Sequence, residues 1–128
     1  MAKKYKTKEL YICFTLNRLV QELDVDLYGP NLETELEKIL LYQKGVSKME
    51  ISDEIRSNHF QTNKILEALK EKGYVSVEPG ERSYVIKITK PGVLYIRKYN
   101  EFFISMYQDI IQEHYRFKKL PAWLSPER

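Results

Sequence analysis

One stretch of this chain resists a helical reading. Between Tyr74 and Thr89 the apolar residues alternate: Val75 and Val77, then Tyr84, Ile86 and Ile88, with Glu78-Pro79-Gly80-Glu81 between the two sets. A period of two places one face of a strand inward. Pro second and Gly third in the intervening four is the signature of a type II turn. The sequence therefore predicts a hairpin of two strands, Tyr74 to Glu78 and Ser83 to Thr89, with Val75, Val77, Tyr84, Ile86 and Ile88 inward. An isolated hairpin is marginal in water, so the flanking segments must cover it.

Those segments carry helical periods. From about Thr7 to Leu23, Ile12, Leu16, Leu19 and Leu23 recur at spacings of four, three and four, with Cys13 and Val20 widening the stripe. Tyr11 to Leu16 also reads as a strand by its residue types; the sustained period decides for helix. A connection with Gly29 and Pro30 follows. A second helix is expected over Leu32 to Gln43, with Leu32, Leu36, Ile39 and Leu40 buried and Gly45 ending it. Ser47-Lys48-Met49-Glu50 is a capping box, opening a short helix with Ile51 and Ile55 on one face and Asp53-Glu54 on the solvated side. Ser57 or Asn58 caps the next helix, which turns Ile65, Leu66 and Leu69 inward and ends at Gly73. Thr89 caps the last, with Pro91 in its first turn.

That last helix reads as unbroken from 91 to 117, roughly 40 Å long. Ile96, Tyr99, Phe103, Met106, Ile110 and Phe117 fall on a heptad-like seam. Its aromatic residues occupy more than one stripe, and one stripe left uncovered would exceed the usual apolar patch of a small monomer. Homodimerisation through this seam is expected, with the N-terminal helix alongside; the bland alternative is that the 7–23 helix and a tail bearing Trp123, taken as exposed, absorb it within one chain. The expected fold is mainly α with a small β-hairpin (α+β), in a single domain over 1–128. It comprises an N-terminal helix about 7–23, a core about 31–90, a C-terminal helix about 91–117 and a tail 118–128.

Helix, short helix, tight turn, helix, hairpin, helix is the order of the winged helix-turn-helix. The block Leu66-Glu67-Ala68-Leu69-Lys70-Glu71-Lys72-Gly73-Tyr74-Val75, the capped Ser47-x-x-Glu50 helix and Ile88-Thr89-Lys90-Pro91-Gly92 resemble the junctions of winged-helix DNA-binding regulators. The long aromatic last helix is similar to that of small archaeal members, which dimerise through it. The resemblance implies a DNA-binding transcriptional regulator, cytoplasmic and nucleoid-associated, with double-stranded DNA and a second copy as partners and the basal transcription machinery as a further one.

The charge pattern argues for nucleic acid separately. The net charge of +3 says little, but its placement says more. No acid lies between Glu54 and Glu67, a window holding Arg56, Ser57, Asn58, His59, Gln61, Thr62, Asn63 and Lys64. Asn and Gln pair two-pointed with adenine, and helix N-termini offer N–H groups to phosphate. None lies between Glu81 and Glu101 either, where Arg82, Lys87, Lys90, Arg97 and Lys98 stand. Bases would be read by Asn58, His59, Gln61, Thr62 and Asn63. Phosphates would be held by Arg56, Lys64, Arg82, Lys87, Lys90, Arg97 and Lys98, with Ser57 at the turn. Phe60 is expected to pack into the turn rather than meet a base. Chance clustering on a solvated face is the bland alternative.

Other classes find little footing. The longest apolar run, Leu10 to Phe14, cannot span a bilayer, and the basic Met1 to Lys8 lacks the apolar region of a secretory signal. The single cysteine, Cys13, sits on an apolar stripe and reads as a small buried hydrophobe. His59 and His114 are distant in sequence, so no metal, no cofactor and no catalytic constellation is expected. A sequence-specific regulator is the first reading. A chromatin-type protein with little preference and a winged-helix protein–protein module are the alternatives.

Overall fold

The computed structural model describes residues 8–117 and 120–124; the expected helix start at Thr7 and most of the tail lie outside them. The elements are α1 (Lys8–Leu23), α2 (Leu32–Leu41), β1 (Val46–Ser47), α3 (Lys48–Ile55), α4 (His59–Glu71), β2 (Val75–Pro79), β3 (Tyr84–Ile88) and α5 (Lys90–His114), then a 3-10 turn at Ala122–Leu124. The three strands form an antiparallel sheet in the order β1-β3-β2. Trihelical unit, three-stranded sheet and hairpin make this a winged helix.

The local signals act as the sequence predicts. Ser47 Oγ accepts from the Glu50 amide and Glu50 Oε1 from the Ser47 amide, both at 3.0 Å. Hydrogen bonding to the Ser47 backbone is the main reason the Glu50 carboxyl lies below its ordinary range. Thr89 caps α5 by accepting from the Gly92 amide at 3.2 Å. At Gly92 a β-carbon would stand 2.3 Å from the Tyr74 carbonyl oxygen, so only glycine lets α5 start this close to the base of the hairpin.

Several expectations change, four of them before the last helix. Gly80 lacks the positive φ that a type II turn requires. Pro79 instead pairs with Tyr84 at the end of the ladder, leaving a four-residue loop; proline is tolerated there because β2 is an edge strand. Tyr84, expected inward, is 54% exposed. The second helix stops at Leu41, two residues early, and β1 was too short to show a period of its own.

The fourth concerns the core. α1 packs on α3, α4, α5 and β3, whereas α2 lies mainly against α5. The first helix of the trihelical unit is therefore α1, outside the expected 31–90 core, and α2 is an inserted helix. Leu10, Phe14, Leu16 and Leu19 of α1 are fully or almost fully buried, with Cys13, Thr15 and Asn17 alongside; a helix buried on nearly all sides is a central one. Asn17 and Asn100 exchange two amide hydrogen bonds at 3.1 Å, pinning α1 to α5 in the interior. Each satisfies the other's polar group, which left alone would cost roughly 1–3 kcal/mol.

The last helix does not run straight to 117. Tyr107 has non-helical angles (φ −123°, ψ 27°) inside α5. Beyond it the chain returns to α1 and α3: His114 stacks on Phe14 with centroids 4.1 Å apart, and its Nε2 lies 2.7 Å from the Glu54 carbonyl oxygen. Tyr115 donates its hydroxyl proton to the Glu54 carboxylate. Trp123 packs near Phe14 and Tyr115 and is 8% exposed. Trp123 is thus buried rather than exposed, and Glu54 anchors α5 rather than merely facing water.

Candidate nucleic-acid interface

The α3–α4 turn is built around hydroxyls. Arg56 closes α3 in the left-handed region (φ 54°, ψ 52°), its amide bonded to the Ser52 carbonyl, an uncommon conformation for a side chain of this size. Thr62 Oγ1 lies 2.8 Å from both Ser52 Oγ and Ser57 Oγ. Thr62 is wholly buried, which corrects its assignment as a base reader: its hydroxyl ties the turn to α4. Asn58 caps α4, its Oδ1 accepting from the Gln61 amide at 2.7 Å, so one end of that side chain is already engaged.

The rest of α4 follows from its phase. Thr62, Ile65, Leu66 and Leu69 face inward. His59, Phe60, Asn63 and Lys64 are exposed, and Gln61 is half-buried. Asn63 Nδ2 donates to His59 Nε2 at 3.3 Å, one turn apart. Phe60 does not pack into the turn: it is 65% exposed, with Lys64 Nζ 4.8 Å from its ring centroid. It lies two residues before Thr62, opposite the buried face, and that phase was the available signal. A cleft of about 150 Å³ separates α4 from the sheet, bordered by Lys48, Asn63, Leu66, Lys70, Val77 and Tyr84. Helix and hairpin thus share one surface.

The second acid-free window is not acid-free in space. Lys87 Nζ lies 3.4 Å from Glu78 on the neighbouring strand. Lys90 Nζ is 4.0 Å from Glu37, and Arg97 donates to Glu33 at 3.1 Å, both carboxylates belonging to α2. Lys98 lies over the Tyr99 ring at 5.3 Å. Among the described residues, Arg56, Lys64, Arg82 and Lys98 have no carboxylate within 4 Å. The five cations of the window are therefore not one phosphate-binding strip, and Lys90 and Arg97 are turned to α2.

The expected dimer seam is also divided. Ile96 and Phe103 are buried in the chain's own core, whereas Tyr99, Met106 and Phe117 are exposed and Ile110 half-buried. Phe102, outside the expected seam, is 54% exposed and Met106 60%. The uncovered stripe of α5 is Tyr99, Phe102 and Met106, with Ile110 one turn on.

Burial pushes the Cys13 thiol up to about 12, only partly offset by the Asn17 amide beside it, so it is no thiolate at neutral pH. Among the described residues no group of three His, Cys, Asp or Glu could hold a metal ion, and no helix is long and apolar enough to cross a membrane.

No family model matches the chain, and no curated protein sequence matches it. Among solved structures, it is similar to MepR, a transcription regulator of the Staphylococcus aureus multidrug efflux pump MepA. That likeness has 14% identity and a TM-score of 0.44, over 80% of this chain and 75% of that one. A mutant of MepR from a multidrug resistant S. aureus clinical isolate is similar at 15% identity and a TM-score of 0.43, over 77% and 71%.

Proposed function

We propose that this protein is a homodimeric, sequence-specific DNA-binding transcriptional regulator that lays α4 in the major groove with its hairpin alongside. The observation that carries the reading is the exposed stripe of His59, Phe60, Asn63 and Lys64 on the N-terminal half of α4, the part of a recognition helix that meets base edges. His59, Asn63 and Gln61 read bases. Arg56, Lys64 and Arg82 hold phosphates, with Ser57 and the free end of Asn58 beside them. Lys87, Lys90 and Arg97 contribute little, since each already faces a carboxylate.

This division favours a specific regulator over a chromatin-type protein, which would depend on unpaired cations. Three phosphate contacts per protomer give a log–log salt slope of about −2.7, roughly double for a dimer. Dimerisation through Tyr99, Phe102, Met106 and Ile110 would cover the apolar stripe of α5 and set two copies of α4 about one DNA turn, on the order of 34 Å, apart. Selection of sites from random duplexes, followed by titration at several salt concentrations, tests the reading. A selected site should outbind random duplex by ~10³-fold or more with that shallow slope. A steep slope without preference supports the chromatin-type reading, and no binding at low salt supports a docking module. Sedimentation as a monomer at tens of micromolar would remove the dimer.

A further inference from the structure

Phe60 is the feature of α4 that the polar readout leaves unused. Six positions at the start of α4, His59 to Lys64, contain a single large apolar side chain, and it stands outward. It is 65% exposed. The Lys64 ammonium lies 4.8 Å from its ring centroid. The other exposed residues of this half of α4, His59, Asn63 and Lys64, are all hydrogen-bonding or charged, so on this helix face the ring is a single apolar group among polar ones. In the major groove the one apolar group on a base edge is the thymine 5-methyl.

We infer that Phe60 is a specificity residue that packs on a thymine methyl, so that this protein distinguishes thymine from uracil at one position of each half-site. The inference rests on the reading of α4 as the groove-entering helix. His59 and Asn63 hydrogen-bond each other one turn apart and present polar groups beside the ring. Lys64, over the ring, sets a cation beside it.

The test uses the full-length protein and its selected duplex, remade with single uracils in place of each thymine in turn, which removes one methyl and no hydrogen-bonding group. Wild-type protein should lose about three- to fivefold in affinity at one thymine per half-site, the worth of roughly one buried methyl. Phe60→Ala should bind the thymine and uracil duplexes alike, and Phe60→Leu should keep part of the discrimination. Circular dichroism melting of both variants should match wild type, since the side chain supports nothing in the core. Specific binding by wild type with no uracil-sensitive position overturns the inference and leaves the regulator reading standing. So does Phe60→Ala that keeps the full thymine preference, or a Phe60→Ala that shifts the sedimentation of the free protein toward monomer. Failure of wild type to bind any duplex at low salt overturns both.

Discussion

Two stretches of this chain look alike as sequence and differ as surface. Residues 55–66 and 82–100 both lack acids and both carry cations. In the first, Arg56 and Lys64 stay clear of carboxylates among the described residues, on a helix face left open to solvent. In the second, Lys87, Lys90 and Arg97 each lie within 4.0 Å of Glu78, Glu37 or Glu33, whereas Arg82 and Lys98 stay clear among the described residues. The inserted helix α2 makes most of the difference: it packs on α5 and brings Glu37 and Glu33 to Lys90 and Arg97, while Glu78 of β2 meets Lys87. Absence of acid along a segment describes a surface only when no other element supplies one.

The contrast can be broken or sharpened by substitution. The largest effect is expected at Asn63→Ala, which should cost about 1–3 kcal/mol on the selected duplex and little on random duplex, read by competition titration. Equal losses on both would mean that α4 does not read bases. Next come Arg56→Ala, Lys64→Ala and Arg82→Ala, each weakening all duplexes alike and flattening the salt slope by about 0.9 per protomer, roughly double that for the dimer. The same change at Lys87, Lys90 or Arg97 should move the slope by much less; a full step there would erase the distinction between paired and unpaired cations. In the opposite sense, Glu33→Gln and Glu37→Gln should steepen the slope by freeing Arg97 and Lys90, provided these reach phosphate. Their effect on stability should be the smallest, within about 1 kcal/mol by thermal melting, as exposed ion pairs contribute little.

Much of the fold was legible because its signals are local. The Ser47 box, the Thr89 cap and the alternation of Val75, Ile86 and Ile88 each act within a few residues of their own position. The bend at Tyr107 had no such signal. No proline or glycine lies between Val93 and His114, and the bend accompanies distant contacts, His114 on Phe14 and Tyr115 on Glu54. The same holds for the seam of α5, where one helical stripe is as apolar as the next until folding buries Ile96 and Phe103. On α4 the phase that buries Thr62 and exposes Phe60 was readable, but a polar residue was given to solvent and an aromatic one to the core by residue type alone.

The sequence by itself determined helices α1 to α5, the hairpin strands and their order along the chain, because periodicity and capping are settled among near neighbours; strand β1 and the place of α1 in the trihelical unit were left to the fold. Only the tertiary structure decided which cations stay unpaired and which apolar stripe of α5 is left over. Those depend on partners such as Glu33 and Arg97, 64 residues apart, and both charge compensation and burial are properties of what stands opposite a side chain, not of what precedes it.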